Sequence, residues 1–301
     1  MSGFSVTSIA RHPPAIILRK DSSVKDAVRM MAEKSVRHAL VSDDCKRLDG
    51  VISAKDILNY LGGGDKFELV KSDLGGDIGH ALDSPIASVM NRAPVTGFVD
   101  MPLPELMSLM AQHDIGMLPL LDRRNVIWGG LSERHLFKLF EESQMFVRVS
   151  EIMSKPLITM DGKGTILDAM RMMVKNDIRR IPVMNEGNLW GIVTVKDVIR
   201  FLASRYVEEV ISRGFSKYLF NINVSKIATT NPRTAGPDED LSDAVKTMNL
   251  HDIGSLIIVS GNKPIGMLTE RDFLLKLPRL RGVEFITDIS RNRVLVGRIH
   301  F

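Results

Sequence analysis

The feature that most restricts what this chain can fold into is internal repetition. Four segments align without gaps through most of their length: Asp26-AVRMMAEKSVRHALV, Glu105-LMSLMAQHDIGMLPLL, Asp168-AMRMMVKNDIRRIPVM and Asp243-AVKTMNLHDIGSLIIV. A second shared element follows each one: GVISAKDIL (50–58), GGLSERHLF (129–137), GIVTVKDVI (191–199) and GMLTERDFL (266–274). Its Ser or Thr stands 26 or 27 residues beyond the first acid in every copy. Two copies also carry a recognisable lead, Val149-SEIMSKPLIT and Val224-SKIATTNPRT. Agreement at so many fixed offsets makes this a fourfold repeat, and each unit of about 60 residues is too small to bury a comfortable core alone. The units must therefore pack on one another.

The copies differ in a patterned way. Copies 1 and 3 share Arg-Met-Met (29–31 and 171–173), whereas copies 2 and 4 share His-Asp-Ile-Gly (113–116 and 251–254). A unit doubled into a pair, and the pair doubled again, gives this pattern and predicts two pseudo-twofold pairs. Within a unit the lead acid opens a helix, with Ser23, Thr165 and Asp240 three residues earlier as N-caps. Apolar residues such as Ala27, Val28, Met30 and Met31 give that helix one buried face. Runs such as Arg180-IPVM and Ser255-LIIV read as strands. A polar turn then leads to a second strand ending at Ser53, Ser132, Thr194 or Thr269, and a second helix follows. The fold class is α+β, four βαββα units in two pairs. The boundaries read as 1–63, 86–142, 149–204 and 224–278, with a basic extension over 279–301. The segment 64–85 reads as glycine-rich and loose, and 205–223 as an extension of the copy 3 helix leading to copy 4. The 17 methionines suit cores and helix interfaces.

Composition narrows the function class. Hydrophobic residues make up 44% and charged residues 25%, ordinary for a soluble globular chain. No apolar run approaches the roughly 20 residues of a membrane helix, and MSGFSVTSIARHPP has no signal-peptide core. The single cysteine, Cys45, allows no internal disulfide, which points to a reducing, cytoplasmic setting. A net charge of +4 is too small to argue for nucleic acid.

The repeated G-h-h-[ST]-x-[KR]-D at the second strand–helix junction resembles the CBS domain. Two such domains form a Bateman module, and four in one chain resemble the γ subunit of the AMP-activated protein kinase. The resemblance covers about residues 1–278. It implies a regulatory binding protein, not an enzyme, that takes adenine nucleotides or S-adenosylmethionine between paired domains.

Physical chemistry gives such a junction two uses. A Ser or Thr at the head of a helix lies beside unpaired N–H groups, which favour an anion such as phosphate. An acid three residues later can close a capping box with the Ser or Thr, or accept hydrogen bonds from ribose hydroxyls. The resemblance implies the ribose role for Asp56, Asp197 and Asp272, with Ser53, Thr194 and Thr269 as adjoining hydroxyls. Copy 2 has His135 in place of the acid, so its site is expected to be empty or different. Eleven residues after the lead acids stand Arg37, Gly116, Arg179 and Gly254. By resemblance Arg37 and Arg179 face phosphate, one for each pair, as a bidentate guanidinium suits. His38 and Arg180 could assist, or all four could be solvated surface charge. Lys55, Arg134, Lys196 and Arg271 precede the signature position and could approach phosphate or lie exposed. The lead segments supply Thr96, Thr159 and Thr234, a position often used at the nucleotide in the family.

Other signals are weaker. His-Asp at 113–114 and 251–252 occupies a helix end before Gly116 and Gly254, which read as C-capping glycines, and no further cluster supports a metal. Gly62-Gly-Gly-Asp65 has no following Gly-Lys-Ser/Thr and reads as a flexible end. No nucleophile, metal set or acid–base pair stands out. The expected function is a regulatory sensor of AMP, ADP or ATP that reports energy state to a protein partner or a second copy. It requires no obligatory cofactor. A sensor of S-adenosylmethionine remains open, as does a scaffold or nucleic-acid binder using the arginine-rich tail (279, 281, 291, 293, 298), whose Arg293-VLVGRIHF alternates like a strand.

Overall fold

The computed structural model describes residues 5–140 and 145–282. The expected strand over 293–301 lies outside them, and a short helix, Leu277–Arg281, runs into the start of the extension. Each copy builds the βαββα unit. In copy 1 a two-residue strand, Ile17–Leu18, runs parallel to His38–Val41, which pairs antiparallel with Gly50–Ser53. The other copies repeat this with Met117–Leu121 and Ile127–Ser132, Arg180–Asn185 and Asn188–Thr194, and Ser255–Ser260 and Lys263–Thr269. A core helix of ten residues joins the first two strands: Val24–Glu33, Leu103–Gln112, Ile166–Lys175 and Leu241–Leu250. Ser23 and Thr165 cap theirs in full capping boxes with the lead acids Asp26 and Asp168, and Asp240 caps the fourth. Copy 2 has Pro102 there instead and no side-chain cap, and Pro104 sits in the first turn, where its missing N–H costs no intrahelical bond.

The lead segments are exchanged along the chain. Arg11, ahead of copy 1, bridges Gly130 in copy 2, and Asn91, ahead of copy 2, bridges Val51 in copy 1. Ser154, ahead of copy 3, bridges Met267 in copy 4, while Thr229–Thr230, ahead of copy 4, adds a fourth strand to the sheet of copy 3. This exchange explains the signature glycine. A Cβ at Gly50 would lie 2.6 Å from the Asn91 carbonyl oxygen, at Gly191 2.9 Å from that of Thr229, and at Gly266 3.1 Å from that of Ser154. At Gly129 it would fall closest of all, on the Arg11 carbonyl. A side chain at any of these positions would push the lead off the sheet.

The compact units gather alternate repeats. One comprises 15–94 and 158–232, with copies 1 and 3; the other comprises the described parts of 1–14, 95–157 and 233–282, with copies 2 and 4. Four units in two pairs are present, but Arg37 and Arg179, assigned above to different pairs, share one unit. The buried helix faces gather alternate copies, whereas the exchanged leads join consecutive ones: copies 1 and 2 take each other's leads, and copies 3 and 4 do the same. In the first unit Ala27, Val28 and Met31 share a buried core with Met170, Met173 and Val198. In the second, Met107, Met110 and Phe137 share one with Val245, Met248 and Phe273.

Three local expectations are corrected. Residues 64–85 are not loose: they carry helices Phe67–Leu74 and Ile78–Asp83, and the preceding Asn59–Gly63 is a widened, buried helical turn. A Cβ on Gly63 or Gly64 would lie 2.8 or 2.6 Å from the Val174 side chain, so these glycines serve close packing against copy 3 rather than flexibility. The copy 3 helix ends at Leu202, and Arg205–Ser212 is a separate helix after the break at Ala203-Ser204. Gly116 and Gly254 are not the capping residues either. The left-handed position falls on Asp114 and Asp252, as on Ser35 and Asp177 in the other copies, and short polar side chains tolerate it.

Candidate ligand-binding site

The signature helices begin at equivalent points: Ala54–Leu58, Glu133–Phe137, Val195–Leu202 and Glu270–Leu275. Each is aimed by one backbone bond from its first residue to the residue just before the first long strand of its unit. Ala54 N–H donates to the Arg37 carbonyl at 2.8 Å and Val195 N–H to that of Arg179 at 3.0 Å. The matching bonds in copies 2 and 4 run from Glu133 to Gly116 and from Glu270 to Gly254. Half-buried Arg37 and Arg179 therefore stand at the helix heads of copies 1 and 3, with His38 and Arg180 next along the strand. Copies 2 and 4 have glycine there and a buried glutamate instead.

The capping box is present at all four junctions. Asp56 Oδ2 accepts from Ser53 N–H at 3.0 Å and from its hydroxyl at 2.6 Å. Asp197 does the same for Thr194 at 2.8 and 2.7 Å, and Asp272 for Thr269 at 2.7 and 2.8 Å. Capping uses only one oxygen, and the other is held by a long cationic side chain. Asp56 Oδ1 meets Lys66 at 3.0 Å, Asp197 Oδ1 meets Arg200 at 3.1 Å, and Asp272 Oδ1 meets Lys276 at 2.7 Å. Lys66, Arg200 and Lys276 were not singled out from sequence. Their offsets from the acid differ, so no motif could show them.

His135 replaces the acid as a hydrogen-bonding part only. Its Nδ1 accepts from Ser132 N–H at 3.2 Å, completing the cap and leaving the proton on Nε2 in the neutral ring. Burial pushes its pKa below the ordinary value, and Lys138 and Arg11 push it further.

Three of the basic residues before the signature position, Lys55, Arg134 and Arg271, turn to the other copy of their unit. Lys55 pairs with Asp177, and Arg134 with Asp252 and, at 3.0 Å, with Glu270. Arg271 pairs with Asp114 and lies 3.7 Å from Glu133. Glu133 and Glu270 are 1% and 4% exposed, so copies 2 and 4 meet through a buried, reciprocal ionic brace. Its sequence trace is the shared Glu-Arg at 133–134 and 270–271, where copies 1 and 3 have Ala-Lys and Val-Lys. Lys196 is the second residue of its helix. Thr234 lies on a two-residue strand opposite Ile257, one strand removed from the signature strand, and Thr159 immediately precedes the matching strand Met160–Asp161. Among the described residues no group of three or more His, Cys, Asp or Glu could hold a metal, and no helix is long and apolar enough to cross a membrane.

The profile of the CBS domain matches residues 6–63, 86–142, 149–204 and 224–279. An uncharacterized 33.4 kDa protein in the ribosomal RNA operon of Thermofilum pendens is 30% identical over 293 residues, spanning 97% of this chain and 98% of that one. Among solved structures, protein MJ1225 of Methanocaldococcus jannaschii, put forward as an archaeal homolog of γ-AMPK, superposes with a TM-score of 0.84 at 24% identity, covering 90% of this chain and 98% of that one. An uncharacterized conserved protein of Pyrococcus horikoshii gives 0.57 at 18% identity over the same shares.

Proposed function

The chain belongs to the CBS domain family, and from that premise we propose that it is a regulatory protein binding AMP, ADP or ATP and passing its occupancy to a partner. One observation carries the reading. At three of four equivalent helix heads a carboxylate caps with one oxygen and meets a cationic side chain with the other. Such an oxygen can accept a ribose hydroxyl without dismantling the helix. Asp56, Asp197 and Asp272 would each hold a ribose, Ser53, Thr194 and Thr269 would set the carboxylates, and Arg37 and Arg179 would answer phosphate charge. Lys196, Thr159 and Thr234 are secondary candidates, whereas Arg271 is already committed to Asp114 and Glu133. Binding would act by linkage, favouring whichever arrangement of the chain holds nucleotide better.

A second reading has its own observation. Copy 4 has an acid but Gly254 in place of arginine and Glu270 at its helix head, which suits an adenosyl ligand without phosphate, such as S-adenosylmethionine. The test is calorimetric titration with AMP, ADP, ATP and S-adenosylmethionine, repeated on Asp197→Ala and Asp272→Ala. Micromolar binding of an adenine nucleotide, weakened by Asp197→Ala, is expected. Absence of binding by all four to folded, ligand-free protein would reduce the signature acids to helix caps.

A further inference from the structure

The groups on the outer oxygens of the three acids are not equivalent. Lys66 spans from Asp56 Oδ1 to the Val89 carbonyl at 2.6 Å. Lys276 spans from Asp272 Oδ1 to the Ile152 carbonyl at 2.9 Å and to Ser154 Oγ at 2.9 Å. Val89 and Ile152 are the same place in two exchanged leads. Each stands two residues before a bridge to the signature strand, Asn91 to Val51 and Ser154 to Met267. Each carbonyl also lies at the end of a short helical turn, where carbonyls lack intrahelical donors and favour a cation. The two lysines come from different places, ten residues after one acid and four after the other. The same link between ribose acid and lead is thus made by two sequence routes.

Copy 3 lacks the link. Arg200 bonds only Asp197 on its own helix, is 58% exposed, and makes no bond to the lead among the described residues. The acceptor capacity of the acids differs as well. A carboxylate offers about four lone-pair sites. Asp272 fills them with Thr269 N–H, the Thr269 hydroxyl, Lys276 and the Ser154 hydroxyl at 2.8 Å. Asp56 and Asp197 each receive three such donors. A ribose diol brings two donors, so at Asp272 it must displace groups that hold the lead. At Asp197 it need displace only an exposed arginine.

We propose that Lys66 and Lys276, with Ser154, set the affinity of the copy 1 and copy 4 sites and couple their occupancy to release of the exchanged leads, while the copy 3 site binds without that consequence. This rests on the ribose role given above to the signature acids. Nucleotide binding at copy 4 frees residues 149–156 from the sheet of that copy; binding at copy 1 loosens residues 86–92. Copy 3 fills first and reports nothing through its lead.

The experiment titrates full-length protein with AMP, ATP and S-adenosylmethionine in turn, in an Asp56→Ala, Asp197→Ala background that leaves only Asp272; where AMP does not bind, the outcomes below are read with the ligand that does. Lys276→Met and Ser154→Ala are each added to that background, and hydrogen exchange of peptides covering 149–156 is followed. Removing a donor that competes for Oδ1 raises affinity by roughly tenfold, the weight of one hydrogen bond to a charged group. Exchange in 149–156 rises when AMP binds. Ser154→Ala leaves every charge in place, so it keeps the test sound if Lys276→Met does not fold. Binding that is unchanged or weaker in both variants, or increased protection of 149–156 with AMP, overturns the proposal while leaving the nucleotide reading intact. If neither the parent nor either variant binds AMP, S-adenosylmethionine or ATP, the ribose role itself falls, and this inference with it.

Discussion

Replacing Arg134 by Met tests whether the ionic brace between copies 2 and 4 is a buried interaction or a surface decoration. The substitution keeps an apolar stem over Phe137, whose ring lies 5.9 Å from the guanidinium, and removes the charge. Glu270, only 5% exposed in its side chain, then loses its 3.0 Å partner, and the Ile253 carbonyl loses its 3.1 Å donor. Breaking a buried pair by removing one member costs about 3–5 kcal/mol. Arg134 is itself partly exposed and Glu270 keeps other interactions, which places the loss near the lower figure, about 3 kcal/mol. The chain supplies its own control. Lys55 occupies the same position in copy 1, but it and Asp177 are 42% and 49% exposed, and its neighbour in the helix is Ala54 rather than a glutamate. Lys55→Met should therefore cost under about 1 kcal/mol. The assay is urea unfolding followed by tryptophan fluorescence. The two tryptophans fall one in each compact unit, Trp128 with copies 2 and 4 and Trp190 with copies 1 and 3, so Trp190→Phe or Trp128→Phe isolates the unit under test. Adding Glu270→Gln to Arg134→Met should recover part of the loss by removing the stranded charge. Equal losses for the two single variants, within about 0.5 kcal/mol, would refute the argument that burial gives the brace its strength.

Two further outcomes follow from the geometry. Alanine at the signature glycines should destabilise in the order Gly129, Gly50, Gly191, Gly266, from about 3 down to about 1 kcal/mol, because the backbone oxygen in the way retreats in that order; urea midpoints in any other order would remove lead docking as the reason for these glycines. His135 is held neutral with its pKa below the ordinary 6.5, so the unfolded chain takes up its proton first. The stability it contributes is full above about pH 6.5 and is lost as pH falls through the folded value. Unfolding midpoints at pH 7.5, 6 and 5 should fall more steeply for the parent than for His135→Asn, and equal slopes would show that the histidine carries none of the acid sensitivity.

A carboxylate has two oxygens, so one can cap the helix while the other answers a different group. At Asp56, Asp197 and Asp272 the inner oxygen fixes the helix head and the outer one answers a cation.

Much of this was legible in the residues. Fourfold repetition, the βαββα order, the caps at Ser23, Thr165 and Asp240 and the boxes at Ser53 and Thr194 all depend on residues within a few positions of one another. Local hydrogen bonds and 3.6-residue periodicity leave their mark at short range, and a repeated motif multiplies the signal. Four other features were settled only in three dimensions: the exchange of leads, the gathering of copies 1 with 3 and 2 with 4, the packed turn at Gly62–Gly64, and the lysines on Asp56 and Asp272. Each joins groups whose separation along the chain is set by topology, not by any period. An ammonium can reach one carboxylate equally well from ten residues away or from four, and the same apolar helix face can pack on any of three sister copies. Which it chooses is decided by the total burial that the assembled fold achieves, a sum over the whole unit that no short window of sequence contains.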